Sequence, residues 1–212
     1  MKAKRTLSAV LLAKVFFCGI GAGYATAASF DDPTWPCQQR KVETLSMALM
    51  WTDPLPDGFD AENPAALPAD ARSLASLLSL RRYSLEEAEA AVRAFSEGDN
   101  DAAPERMATI FAHVFKTLGA ARRQVIHGIE SYSLKQIALA EKIDTTRTEM
   151  TVLMDANEPD YDKVDALEEQ IDWDERVYRD RSKSLTYVCE TPVLIEQRLY
   201  AIAHLLMKYA AR

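Results

Sequence analysis

The segment "EMTVLMDANEPDYDKVDALE", Glu149 to Glu168, decides the fold of this chain of 212 residues. Apolar residues recur on both sides of a short polar break. Within the break, Asn157 is suited to end a helix in the left-handed conformation, and Pro159 is suited to the first turn of a new helix. We therefore expect two helices that reverse direction at residues 157–159.

The sequence on both sides of this break follows a heptad repeat. The repeating positions are Ile129, Tyr132, Gln136, Leu139, Ile143, Thr146, Met150 and Leu153 before the break, and Val164, Leu167, Ile171, Asp174, Tyr178, Arg181, Leu185 and Val188 after it. If the chain folds at the break, one register pairs Leu153 with Val164 at one end and Ile129 with Val188 at the other. The sequence thus predicts a long antiparallel coiled-coil hairpin over about residues 129–188.

Two layers of the predicted seam contain polar residues, Ile143 with Asp174 and Gln136 with Arg181. Polar residues in a seam lower stability, but they can fix the register of the two helices. The alternative is that these polar side chains face a third helix or solvent. The sequence leaves both possibilities open.

The remaining sequence is typical of an all-α bundle. After residue 27 the glycines are Gly58, Gly98, Gly119 and Gly128, and the chain is rich in Ala, Leu, Glu, Arg and Gln. This composition favours helices over strands and tight turns. We expect helices over about residues 68–81, 85–97 and 104–154, with Ser84 and Glu87 forming a capping box at the start of the second.

Prolines divide the two ends of the predicted domain. Pro36 is suited to begin an amino-terminal helix, and four prolines then predict an extended loop over residues 52–68. Thr191 and Pro192 predict that a separate carboxy-terminal helix begins there. We expect one all-α domain over 28–212: amino-terminal helix and proline-rich loop (28–66), helices (68–128), hairpin (129–188) and carboxy-terminal helix (191–212).

The first 27 residues resemble a secretory signal peptide. Lys2, Lys4 and Arg5 precede a short apolar run, and the small residues Ala25 to Ala27 follow it. Because that run is well below the ~20 residues of a membrane-spanning helix, we expect cleavage near residue 27 and no membrane insertion afterwards. The expected location is the periplasm.

Net charge argues against nucleic-acid partners. The whole chain has 25 basic and 32 acidic residues, and the leader removes four basic ones. The remaining 21 basic and 32 acidic residues give a net charge of −11. An acidic protein repels phosphate backbones, so we expect a protein partner and no nucleic acid.

Two cysteines, Cys37 and Cys189, follow the leader. An even number of cysteines in an oxidising compartment favours a disulfide, and two cysteines allow one intramolecular pairing. An intermolecular bridge or two buried thiols are the alternatives. We expect the disulfide, which would close a loop of about 150 residues.

No motif for catalysis or cofactor binding follows the leader, since glycine-rich phosphate loops, nucleophile elbows and helical metal-binding patterns are missing from the sequence. We therefore expect neither an enzyme nor a bound cofactor. His204 and Met207 share a helix face and are weak candidates for a soft metal ion. Ordinary packing is the preferred interpretation of both.

Aromatic and basic residues form two further groups. Trp35, Trp51 and Phe59 surround the proline-rich loop, where we expect them to clamp it onto the bundle rather than to form a binding patch. The basic runs at residues 122–124 and 179–181 are expected to be solvated helix faces.

The turn of the predicted hairpin is the preferred interaction site. Asp155, Glu158, Asp160 and Tyr161 lie there, and acidic residues dominate. We expect an exported, non-enzymatic protein that binds another protein, as an assembly factor, accessory subunit or scaffold. The alternative is that the hairpin folds back along the other helices or pairs in a homodimer, and that its turn only adds solubility. The alternatives are a periplasmic metal or stress sensor, and a helical bundle that binds a small molecule near Gly119 and Gly128.

Overall fold

The computed structural model describes residues 32–55, 57–98 and 102–210. Within them the regular elements are four α-helices and one short 3-10 turn, Met47–Leu49. The helices are α1 (Ala69–Ser79), α2 (Leu85–Ser96), α3 (Pro104–Met154) and α4 (Tyr161–Tyr209). Described residues contain no strand, so the predicted all-α class is confirmed.

Helices α3 and α4 pack against each other over most of their length and form the predicted antiparallel hairpin. The hairpin turn is wider than expected, because α3 ends at Met154 and α4 begins at Tyr161. Pro159 precedes the new helix instead of opening it. Asp160 is the N-cap, and its side chain accepts a hydrogen bond from the backbone N–H of Lys163.

Half of the sixteen predicted seam positions are buried, four on each helix; the other four on α3 are half-buried, and the two exposed ones lie on α4. Val164, Ile171 and Leu185 are buried, whereas Tyr178 is partly exposed and Val188 is 42% exposed. Cys189 takes the buried position that was predicted for Val188. A straight helix turns through 3.6 residues rather than 3.5, so a heptad face drifts around it and moves the seam by one residue.

The polar seam layers remain inside the hairpin. Asp174 is buried, accepts one hydrogen bond from Gln170 and forms an ion pair with Lys142. Gln136 is also buried, and its amide donates to the backbone carbonyl of Tyr178 and the hydroxyl of Ser182. These groups bond between or along the two helices rather than to a third one.

The prediction of a separate carboxy-terminal helix is wrong, because α4 continues through Pro192 to Tyr209. Proline removes one backbone hydrogen bond and crowds the preceding turn. Here the carbonyl of Cys189, in that turn, accepts a hydrogen bond from the side-chain amide of Gln39. Burial of Pro192, Ile195 and Leu199 adds apolar packing on both sides of the interruption.

The main core lies where α1 and α2 cover the open end of the hairpin. Apolar side chains from all four helices meet there: Leu74, Leu78, Val92, Met107, Ile110, Phe111, Leu199, Ile202 and Leu206. The predicted capping box starts α2, with reciprocal hydrogen bonds between Ser84 and Glu87. Arg198 of α4 donates to the carbonyls of Leu78, Leu80 and Tyr83, which lie at and after the end of α1.

The predicted amino-terminal helix from Pro36 is also wrong. Apart from the 3-10 turn, residues 36–50 are not helical, and Leu49 is 80% exposed. Side chains, one nearby and one distant in sequence, take backbone carbonyls that a helix would use. Trp35 donates to the carbonyl of Gln39, and Arg122 donates to the carbonyl of Val42.

The predicted signal peptide lies outside the described residues. Among the residues that are described, none of the helices combines the length and the apolar character needed to cross a membrane.

Candidate functional site

The two predicted cysteines meet at the base of the hairpin. Sγ of Cys37 lies 1.99 Å from Sγ of Cys189, and their Cα atoms are 5.5 Å apart. The bond attaches the extended segment of residues 36–50, here called the amino-terminal strap, to α4. Trp35, immediately before the strap, packs against Ile126, Ile129 and Leu185 in a second small core.

A cleft of about 690 Å³ opens between the strap and the two long helices. Its walls are largely apolar, with Leu45 and Leu49 from the strap, Ile126 from α3, and Val193 and Tyr200 from α4. Leu49, Val193 and Tyr200 are exposed there. Because the strap is extended, it crosses the groove between α3 and α4 without filling it, which leaves this space open.

Arg122 supplies a buried positive charge to the cleft. The residue is 4% exposed, and it donates to the carbonyls of Val42 and Glu43 at 2.7 and 3.4 Å. One terminal nitrogen lies 3.5 Å from a carboxylate oxygen of Glu196. Burial lowers the pKa of Arg122, and the nearby Glu196 opposes that shift. Arginine still keeps its proton in proteins, so the charge remains.

Arg122 was missed by the sequence interpretation, which assigned residues 122–124 to a solvated face. Leu118, Arg122, Ile126 and Ile129 follow one another at helical spacing, and all four are buried. An arginine at one of the positions that form a buried helix face is itself expected to be buried, and this spacing could have identified Arg122.

The three aromatic residues near the proline-rich loop do not form a common patch. Trp51 is buried against Phe111, with ring centroids 5.6 Å apart, and Phe59 packs against the same core. Trp35 belongs to the second core. These positions agree with the expected role of clamping the amino-terminal part of the chain onto the bundle.

The weak metal candidates are placed in different surroundings. His204 is exposed, donates to the carbonyl of Tyr200 and packs on its ring. Met207 is buried, and its sulfur accepts hydrogen bonds from Thr52. Among the described residues, no group of three or more His, Cys, Asp or Glu side chains is arranged to hold a metal ion. His204 and Met207 therefore do not face a common metal site.

The small-molecule alternative was placed near two glycines, Gly119 and Gly128. At Gly119 an added Cβ would contact the side chain of Arg123, and at Gly128 it would meet open space. Neither glycine lines the cleft described above.

The hairpin extends beyond both cores. We call residues 134–184 the arm, since the apolar core clusters end at Tyr132 on α3 and resume at Leu185 on α4. Along the arm, the buried residues belong to the seam: Gln136, Ile143, Thr146, Val164, Ile171 and Asp174. From residue 132 to residue 154, α3 advances roughly 33 Å.

The four predicted contact residues are gathered at the end of this arm, which we call the tip (residues 152–163). Asp155, Glu158, Asp160 and Tyr161 are all exposed. The carboxylate of Asp160 already has partners within the protein, because it caps α4 and forms an ion pair with Lys163 at 2.8 Å. Those contacts lower the pKa of Asp160.

Apolar side chains lie beside these carboxylates. Val152 is 67% exposed and Tyr161 is 68% exposed, and Met154 is also exposed. A groove of about 680 Å³ runs along the arm next to them, lined by Val152, Leu153, Ala166 and Leu167. The sequence interpretation identified the charges of the tip, but it did not identify this adjoining apolar groove.

Comparisons with protein-family models, curated proteins and solved structures find no match for this chain.

Proposed function

We propose that this chain is an exported, non-enzymatic α-helical protein that binds another protein through the tip of its hairpin. The observation that carries the proposal is the exposure of Val152, Met154 and Tyr161 at the end of a two-helix arm. Exposed apolar residues that cluster, rather than occur singly, mark interaction surfaces. Location in the periplasm is part of the proposal and is supported by the signal-peptide-like leader.

The charge around the tip supports a basic partner. Asp155, Glu158, Asp160, Asp162 and Asp165 stand beside Lys163. Carboxylates at a rim mainly accelerate association with a basic surface, while apolar contacts slow dissociation. The tip therefore fits a partner whose groove has an apolar floor and basic edges.

The experiment uses the mature protein to capture partners from a periplasmic extract at low and high ionic strength. One variant combines Asp155→Asn, Glu158→Gln and Asp160→Asn, because asparagine preserves the helix cap at position 160. The control combines Asp53→Asn, Glu62→Gln and Glu97→Gln, three exposed acids away from the tip. We expect weaker capture at low ionic strength from the tip variant alone.

A partner that both variants capture equally would contradict the proposal. Sedimentation of the purified protein distinguishes a second copy of the chain as the occupant. A salt-sensitive dimer that the tip variant abolishes would assign the tip to self-association and would overturn the role of a separate partner.

A further inference from the structure

The strongest feature outside the tip is Arg122 at the base of the cleft. Removing a charge from water is costly unless it is well paired. Arg122 is almost fully buried, yet the carboxylate of Glu196 lies at 3.5 Å, and Glu196 is about half exposed. Within the described part of the chain, Nε of Arg122 has no hydrogen-bond acceptor.

The two charged groups differ in their freedom to move. Arg122 is fixed by the carbonyls of Val42 and Glu43 and by the packing around it. Glu196 lies on the rim of the cleft, and its side chain can turn into water. An incoming anion can therefore replace Glu196 beside Arg122, whereas an incoming cation would meet a positive charge that cannot withdraw.

The space beside Arg122 fits an apolar molecule. A volume of about 690 Å³ falls within the ~300–1000 Å³ usual for small-ligand sites, which combine apolar walls with a few polar groups. Leu49, Ile126 and Val193 supply such walls. The strap that forms one side is attached by Cys37–Cys189, so the wall is held in place when the cleft is empty.

We infer that the cleft binds an apolar monocarboxylate, with its carboxylate on Arg122 and its apolar part against Leu49, Ile126 and Val193. Paired N–H donors of a guanidinium match the two oxygens of a carboxylate. The inference concerns a site separate from the tip, and it goes beyond the proposed protein-binding function.

The test is calorimetric titration of the intact mature protein with decanoate. Acetate supplies the carboxylate without the chain, and decyltrimethylammonium supplies the chain with the opposite charge. We expect decanoate to bind at one site and neither control to bind comparably. Equal binding of the cationic probe would show adsorption to apolar surface and would overturn the inference.

Two neighbouring residues offer a matched pair of variants. Val193 lines the cleft, while Leu194 is exposed on α4 and does not line it. Val193→Glu should weaken decanoate binding by about tenfold, because it places a second negative charge beside the ligand. Leu194→Glu should change the dissociation constant by less than about twofold.

Variants of Glu196 and Arg122 test the role of charge in decanoate binding. Glu196→Gln should tighten decanoate binding by about threefold to tenfold, since it removes a competing carboxylate. Arg122→Gln should weaken it by about tenfold. If Arg122→Gln does not fold, the Val193 and Leu194 variants still decide the question. Unchanged affinity in Val193→Glu would overturn the inference, whatever the tip is found to bind.

Discussion

Nζ of Lys142 lies 2.7 Å from a carboxylate oxygen of Asp174, and the two residues come from opposite helices of the arm. Asp174 is buried in the seam, while Lys142 reaches it from an exposed position. Gln170 donates a second hydrogen bond to the same carboxylate at 2.9 Å. This arrangement satisfies a buried acid within the hairpin and relates α3 to α4 in one register.

The first prediction is that Asp174 contributes stability that depends on pH. The hydrogen bond from Lys142 is the main cause that lowers the pKa of Asp174. A lowered folded-state pKa gives stabilisation that is complete above the unfolded pKa of about 3.9 and is lost as the pH falls through the folded value. The difference in melting temperature between wild type and Asp174→Asn should therefore stay constant from about pH 7 to about pH 5 and shrink as the pH falls below about 4. A difference that does not shrink would contradict this role.

The second prediction concerns the seam of the arm. Ile171 is buried there, whereas Trp173, two residues later, is exposed. Ile171→Ala should lower the free energy of unfolding by about 2–4 kcal/mol, through lost burial and a residual cavity. Trp173→Ala should change it by less than about 0.5 kcal/mol. Urea unfolding measures both, and equal costs would argue against this seam.

The third prediction concerns the disulfide. Its cysteines are 152 residues apart in sequence, and the chain-entropy model for so long a loop gives about 3–5 kcal/mol. The double variant Cys37→Ser, Cys189→Ser should lose that much stability in urea unfolding. Reductant should produce a similar loss in wild type and none in the variant. Two thiols that alkylate readily in the native protein would contradict the bond.

The fourth prediction concerns Arg198, which donates to three backbone carbonyls after and within the last turn of α1. Arg198→Met should cost about 2–3 kcal/mol, because it leaves these partly buried acceptors without donors. Arg179→Met, on an exposed part of the same helix, is the control and should be nearly neutral. Hydrogen exchange should show the loss first in the loop of residues 80–84. Similar protection in the two variants would contradict the assignment.

The sequence was sufficient for the hairpin because its information is local and repeated. Ile143, Thr146, Val164 and Ile171 recur at heptad spacing, and each is buried as that spacing predicts. The capping box at Ser84 is likewise a short-range signal, and it starts α2 where expected.

The amino-terminal strap was mispredicted because distant residues determine its conformation. Arg122 donates to the carbonyl of Val42, and no local pattern in the strap indicates this contact. The bond from Cys37 to Cys189 was expected from the number of cysteines, but it does not indicate the conformation of the strap. At Pro192 the local sequence predicted a new helix where the structure has a continuous one. The preference of proline for a helix start is overridden by packing within α4. The cleft depends on both of these long-range effects, so the sequence pattern did not indicate it.

Pro192 marks a point in the long hairpin where α4 bends more easily than elsewhere. It lies inside α4, next to the cleft, at a point where one backbone hydrogen bond is missing and bending needs less energy. If α4 bends at Pro192, the arm acts as a lever. Tyr161 lies 31 residues, or roughly 46 Å, from Pro192 along the helix, so a tilt of about 5° would move it by about 4 Å. A small bend beside the cleft would thus move the exposed ring of Tyr161 by about the width of a side chain.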